Sequence, residues 1–406
     1  MKKFDAYKFY FFIETASSLL FNLAFTAMSL YEIRVAGLSP LQLVLVGTTL
    51  ELSVLLFEVP TGVVADVVSR RLSILIGFGL IGLGFLLEGL LPFFPTILLA
   101  QVVWGLGYTF TSGATQAWLS DEIGEEHANR SFLRANKFSL TGSLVGMLAA
   151  ILIGSRHIAL PILVGGGLFI LLAGLTSLFM PETGFHPAPA EQRNSFQRMF
   201  QTFRLGLQTV RQRPRLVTIL GMGLFYGLYS EGFDRLWVKH LLGRFTVPVL
   251  FGQTDIAFFG LLDAASVLLS IAATALVEKR LDVFKPHLIG RLMFAITCGI
   301  SVFLVLFAWS PILGLALAVY LIISALRNLV GPLTTAWVNQ RLDSNVRATV
   351  LSMTGQVDAF GQIAGGPLIG LVANLVSVPA AIAISGVLLT PALPLIRAAD
   401  RNEAKT

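Results

Sequence analysis

Long apolar runs separated by short polar breaks set the character of this chain. A helix needs roughly 20 mostly apolar residues to cross a hydrocarbon layer about 30 Å thick. By that measure the chain predicts spanning helices near 7–33, 40–64, 72–92, 95–119, 137–155 and 158–180. After a polar stretch, six more follow near 216–240, 248–276, 288–309, 311–339, 347–376 and 378–396. Several runs are apolar all round, as lipid-facing helices are. The fold class expected is therefore an all-α membrane protein with twelve transmembrane helices.

Composition agrees. Of 406 residues 55% are hydrophobic and 13% charged, with a mean hydropathy of +0.78. A soluble domain carries about a quarter charged residues, so this chain lacks the polar surface to cover itself in water. The net charge of +6 has a topological origin rather than a nucleic-acid one. With the N-terminus placed inside, 23 of the 29 Lys and Arg fall on the inner side. Among them are Lys2, Lys3 and Lys8, Arg70 and Arg71, Arg130, Arg134 and Lys137, and the six arginines from Arg193 to Arg215. That asymmetry places both termini in the cytoplasm. The first run is too long for a signal-peptide core and contains Glu14 and Asn22, so it is expected to remain as an uncleaved first helix. Cys298 is the single cysteine, which excludes an intramolecular disulfide, and the five histidines lack ligand spacing, so no metal site is expected.

The expected division is a six-helix bundle over 1–180, a cytoplasmic linker over 181–215 and a second six-helix bundle over 216–406. Within the linker, Phe196 to Val210 reads as a basic amphipathic helix lying on the inner surface, or alternatively as a charged tether. The halves repeat. "TQAWLSDEI" from Thr115 matches "TTAWVNQRL" from Thr334, and the same offset of 219 places Gly142 and Gly146 on Gly361 and Gly365. Parallel six-helix repeats mark a transporter architecture with its substrate site at the interface of the halves.

The loop after the second helix reads Glu58-Val-Pro60-Thr-Gly62-Val-Val-Ala-Asp66-Val-Val-Ser-Arg70-Arg71. Gly62 permits close helix approach, Asp66 sits at a helix terminus, and Arg70 and Arg71 anchor the interface. This resembles the G-x-x-x-D-x-x-x-R-R signature of the major facilitator superfamily, and the resemblance covers essentially the whole chain. "PETG" at 181–184 and the AWLSDEI end of the fourth helix also fit, and "FEVPTGVVAD" is most similar to the multidrug and macrolide-efflux branch. The resemblance implies that Asp66, Arg70 and Asp121 form a latch at the inner gate, against the alternative of a static surface ion pair. There are departures. Residues 67–69 are Val-Val-Ser, and Gln101 in Gln101-Val-Val-Trp104-Gly105-Leu-Gly107 stands where the family has an arginine associated with proton transfer. The fifth-helix antiporter signature is reduced to Gly142 and Gly146, while Gly361, Gly365 and Pro367 carry a fuller version in the eleventh helix.

Ionisable residues inside a membrane are costly and so are candidates for function. Glu51, Asp263, Arg327 and Asp358 lie near mid-depth, Glu14 nearer the inner side, and Glu231 and Asp234 nearer the outer. Arg327 is expected to neutralise Asp263 or Asp358, leaving a carboxyl for a proton or a cationic substrate; the alternative is a structural pair. Asn22, Gln116 and Asn328 either line a polar path or hold helices together. Gln101, Trp104, Tyr226 and Tyr229 complete the pore-lining candidates, the aromatics as platforms for a flat lipophilic substrate.

These features predict a secondary transporter that exports a small hydrophobic or amphipathic solute by alternating access, through proton antiport. The alternative is an importer of a small metabolite. No HExxH, GxSxG or Walker pattern appears, so an enzyme is not expected. No cofactor is expected beyond a proton gradient. The expected partners are a small-molecule substrate and the lipid bilayer, without nucleic acid, for a monomer in the bacterial inner membrane.

Overall fold

The computed structural model describes residues 5–187, 214–250, 255–281, 286–341 and 344–401. The amphipathic segment expected at Phe196 to Val210 lies outside the described residues. All regular structure among the described residues is helical. The first seven helices are α1 (Ala6–Arg34), α2 (Pro40–Val67), α3 (Arg70–Leu90), α4 (Phe94–Thr111), α5 (Ala114–Ile123), α6 (Glu125–Gly154) and α7 (Leu160–Phe179). The other seven are α8 (Pro214–Arg244), α9 (Asp255–Leu281), α10 (Pro286–Ala308), α11 (Leu313–Arg341), α12 (Ser344–Leu375), α13 (Val378–Leu388) and α14 (Ala392–Arg401). Taking α4 with α5 and α13 with α14 as interrupted rods gives the twelve spans expected. Among the described residues, ten stretches are long and apolar enough to cross a membrane by length and composition alone. The long α8 and α12 fall outside that set; they carry Glu231, Asp234 and Asp358.

Two boundaries differ from the sequence expectation for clear physical reasons. The fourth span breaks at Ser112, which is extended, and Gly113, whose φ of 72° suits glycine. The fifth begins at Glu125 instead of 137, because a polar stretch can stay helical beyond the apolar layer. Glu125 and Glu126 in its first turn complement the positive end of the helix dipole.

The contacts divide the chain into two compact units. The first comprises Met1–Leu38, Thr49–Gln197 and Pro248–Asp263; the second comprises Ser39–Thr48, Arg198–Val247 and Ala264–Thr406. In the first, α1 packs on α6, and α3 on α4 and α7. In the second, α8 packs on α12, and α10 on α11 and α13. The same pairing order thus occurs twice, as the sequence repeat predicts. Gly142 and Gly146 press α6 onto the carbonyls of Thr15 and Leu19 of α1, and Gly361 and Gly365 press α12 onto those of Leu224 and Leu228 of α8. A Cβ at any of the four would overlap that backbone. Trp118 and Trp337, aligned by the repeat, are both fully buried. Pro367 lies inside α12, where it removes one backbone hydrogen bond.

Candidate functional site

At the loop between α2 and α3, Arg70 is the hub. Its guanidinium pairs with Asp66 one turn earlier, and its Nε lies 3.3 Å from Asp121 Oδ2 at the end of α5. The three residues proposed from sequence as one cluster are therefore together. Gly62 behaves differently from expectation: a Cβ there would meet nothing within 4 Å, so among the described residues no helix makes a close approach at that point.

Two glutamates that the sequence pattern had not marked complete this region. Glu182 caps α3: its carboxylate accepts from Ser69 Oγ at 2.7 Å and from the Arg71 backbone N–H at 2.9 Å. Ser69 itself accepts from Leu72 N at 2.9 Å. Glu122 on α5 accepts from Thr183 Oγ1 at 2.8 Å and Gly184 N at 2.7 Å. The Trp118 indole N–H donates to the Pro181 carbonyl at 2.7 Å, and the Arg71 guanidinium donates to the Ser177 carbonyl. The Pro-Glu-Thr-Gly motif is thus a tie binding the end of α7 to α3 and α5. Its signal lay in the motif itself, which carries an acid three residues past a helix end.

The first unit contains a cavity of about 510 Å³ lined by Phe21, Asn22, Phe25, Glu51, Trp104 and Tyr108, with Ser18, Leu50 and Val54. Phe25 and Phe85 each lie 5.7 Å from Trp104, ring centre to ring centre, and fix its plane. Asn22 spans both expected roles: it faces the cavity, and its amide donates to Ser143 Oγ on α6 at 3.0 Å. A second cavity in this unit, about 300 Å³, is lined by Glu14, Gln116, Ser17 and Tyr108 among others.

The second unit has a cavity of about 430 Å³ with Tyr226, Tyr229, Asp234, Arg327, Asp358 and Gln362 in its wall. Here the ion pair differs from the one expected. Arg327 takes Asp234 as partner, with Nη2 2.7 Å from Oδ2. The reason is the platform beneath it. The guanidinium carbon sits 5.6 Å from the Tyr229 ring and 5.3 Å from the Phe233 ring, which guides the long side chain along α8 towards Asp234. Asp358 instead accepts from Gln362 Nε2 at 2.8 Å. Tyr226 hydroxyl meets Thr297 Oγ1 at 2.6 Å. Glu231, 4% exposed, lies beside these groups but pairs with Arg235 Nε at 3.0 Å. Asn328 joins α11 to α9 through Ser270 at 3.0 Å, a helix-holding role. Asp263, on α9, lines none of these three cavities.

Among the described residues, no three His, Cys, Asp or Glu side chains gather as a metal ion requires. Glu88 is the acid most easily missed, since it lies near the end of an apolar run, where a carboxyl ordinarily reaches headgroup level. It is fully buried and accepts from Gln101 Nε2 at 2.9 Å.

The profile of the Major Facilitator Superfamily matches residues 10–366. The chain belongs to this superfamily. It is an integral membrane transporter of the major facilitator type. A relative described as the uncharacterized MFS-type transporter YxaM, from Bacillus subtilis (strain 168), is 24% identical over 362 residues, covering 88% of this chain and 86% of that protein. The nucleoside transporter NupG superposes with a TM-score of 0.78 at 13% identity, over 98% of this chain and 99% of that one. A bacterial homologue of the human lysosomal transporter Spinster gives 0.76 at 15% identity, over 98% of both chains. At such identities these structures support the fold of the transporter and leave its cargo to its own residues.

Proposed function

We propose that this major facilitator exports a small hydrophobic or amphipathic solute by alternating access, in exchange for protons, as a member of the multidrug and macrolide-efflux branch. The observation that carries the proposal is the aromatic wall of the first unit's cavity. Phe21, Phe25, Trp104 and Tyr108 supply flat apolar faces, while Glu51, Asn22 and Ser18 supply the few polar groups. Its volume of about 510 Å³ suits a drug-sized molecule. A carboxyl among aromatic faces favours a lipophilic cation, through ion pairing and cation–π attraction. The moving bodies would be 1–180 and 216–406, joined by the 181–215 linker. Asp66, Arg70 and Asp121 would latch the cytoplasmic gate, with both termini on that side of the bacterial inner membrane.

The test is efflux of a lipophilic cationic dye from vesicles bearing an imposed pH gradient. Export driven by the gradient and abolished by an uncoupler supports the proposal. Efflux unchanged by the uncoupler would sink proton coupling.

A second possibility, import of a small polar metabolite, rests on the second unit's cavity. Asp234, Arg327, Asp358, Gln362, Thr334 and Thr335 give it a polar lining, and the fold likeness includes a nucleoside transporter. Gradient-driven accumulation of a labelled nucleoside in right-side-out vesicles, without dye efflux, would favour it.

A further inference from the structure

Glu88, Gln101 and Trp104 form a hydrogen-bonded chain running from a fully buried carboxyl to the wall of the first unit's cavity. Gln101 Nε2 donates to Glu88 Oε2 at 2.9 Å, and Trp104 Nε1 donates to Gln101 Oε1 at 2.9 Å. Glu88 and Gln101 are 0% exposed, and Trp104 lines the cavity. The direction of the chain is fixed at one end. An indole N–H can only donate, so the Gln101 carbonyl must face Trp104 and its amide N–H must face the carboxyl. Glu88 Oε2 is therefore an acceptor in the arrangement seen.

The surroundings hold the carboxyl in place. Tyr31 of α1 donates to the Glu88 backbone carbonyl at 2.8 Å and to Gly89 at 3.2 Å, which pins the end of α3. Gly84, one turn earlier, brings α3 against the backbone of α4 at Trp104, so the three side chains cannot drift apart. On α1, Tyr31 reaches this end of α3, and the residue next to it in sequence, Glu32, is buried as well. The sequences of α4 and α7 contain no Lys, Arg, Asp, Glu or His, and those of α3 lie at its start apart from Glu88 itself. Glu51 of α2 lines the same cavity as Trp104. A carboxylate inside a spanning helix is costly and marks a functional position.

We propose that Glu88 is a proton-binding site whose occupancy is transmitted through the Gln101 amide to Trp104 in the cavity wall. With the carboxyl ionised, the Gln101 bond is charge-assisted and strong. A proton taken up on Oε1 makes that bond neutral and weaker. A proton taken up on Oε2 turns the acceptor into a donor, so the amide must rotate, and its NH₂ then opposes the indole N–H. Both outcomes slacken Trp104. The cavity wall thereby senses a proton bound outside the cavity, with Gln101 acting as the link at the position where the family's arginine is absent. The use of this site in transport rests on the proton-antiport proposal; the site itself does not.

The experiment uses the full chain, purified in detergent and titrated from acid to alkaline pH with two readouts. Infrared difference spectra should show a protonated-carboxyl stretch that appears on acidification and is lost in Glu88→Gln. Trp104 emission, isolated by subtracting Trp104→Phe, should shift over the same pH interval in the parent and stay constant in Glu88→Gln. Gln101→Leu keeps the carboxyl and cuts the link, so its band should persist at a shifted frequency while the Trp104 response disappears. Should Glu88→Gln fail to fold, that frequency shift alone assigns the band. A titrating spectrum identical in all variants would overturn the proton site, and a Glu88 band without any Trp104 response would overturn the transmission. Neither readout involves transport. Gradient-independent efflux therefore refutes antiport without touching this site, and a silent Glu88 refutes the site without touching antiport.

Discussion

Arg327 closes on Asp234, 93 residues earlier in the chain, with Nη2 2.7 Å from Oδ2 and the guanidinium resting on Tyr229 and Phe233. Removing one member strands the other charge. A fully buried pair broken in this way costs about 3–5 kcal/mol, but the Asp234 side chain is 45% exposed, so solvent screens part of that. Arg327→Met should lower unfolding stability by about 1–2 kcal/mol and reduce transport at least tenfold. The double variant with Asp234→Asn should recover part of the stability and none of the transport. A thermal-unfolding double-mutant cycle in detergent measures the coupling; additive losses would show that the pair has no role of its own.

The Asp66, Arg70 and Asp121 cluster is more open, with Asp66 51% and Asp121 32% exposed at the side chain. Ion pairs this accessible contribute about 0–1 kcal/mol to stability. Asp66→Asn should therefore leave the melting temperature nearly unchanged while lowering the maximal transport rate several-fold at constant apparent affinity. Vesicle kinetics separate the two parameters, and a loss confined to affinity would contradict a latch.

Periodicity and charge revealed the rods, their repeat and the Arg70 cluster, because each depends on features local in sequence: apolar length, basic loops and a fixed spacing of Asp and Arg. Partner choice was less legible. Arg327 pairs with Asp234 rather than Asp263 or Asp358 because an aromatic platform on α8 directs its side chain, and no spacing rule encodes that. Gly62 sat in a recognised motif yet, among the described residues, nothing stands within 4 Å of where its Cβ would be. Glu88 and Glu182 escaped notice because their importance arises from what the fold packs around them, an amide from α4 in one case and the N-terminus of α3 in the other.

Glu182 supplies a distinct prediction. It accepts from Ser69 and from the Arg71 amide, so Glu182→Ala uncaps α3 and frees the segment after α7. A lost cap costs about 1 kcal/mol. The expected result is a modest drop in melting temperature together with faster proteolysis just beyond residue 184. Glu182→Gln should recover much of the cap, since an amide oxygen still accepts both bonds. Equal proteolysis of the two variants would show that the segment is held by Trp118 and Glu122 alone.

The repeated glycines allow a test in which the sign of the effect differs between sites. Replacing glycine by alanine in an open helical position ordinarily stabilises, by up to about 1 kcal/mol, through reduced backbone freedom in the unfolded chain. Gly167 on α7 is such a position, since a Cβ there meets nothing within 4 Å. At Gly146 the same methyl group would overlap the Leu19 carbonyl, and at Gly365 the Leu228 carbonyl. Those neighbours are helix backbone and cannot step aside as a side chain can, so each substitution must push two helices apart at a cost of about 1–3 kcal/mol. Gly167→Ala should therefore hold or raise the melting temperature, while Gly146→Ala and Gly365→Ala each lower it by similar amounts. The pairing of first and fifth rods is built identically in the two units, which is why the last two losses should match. A loss at one site without the other would show that the repeat preserved the glycines after their packing roles had diverged.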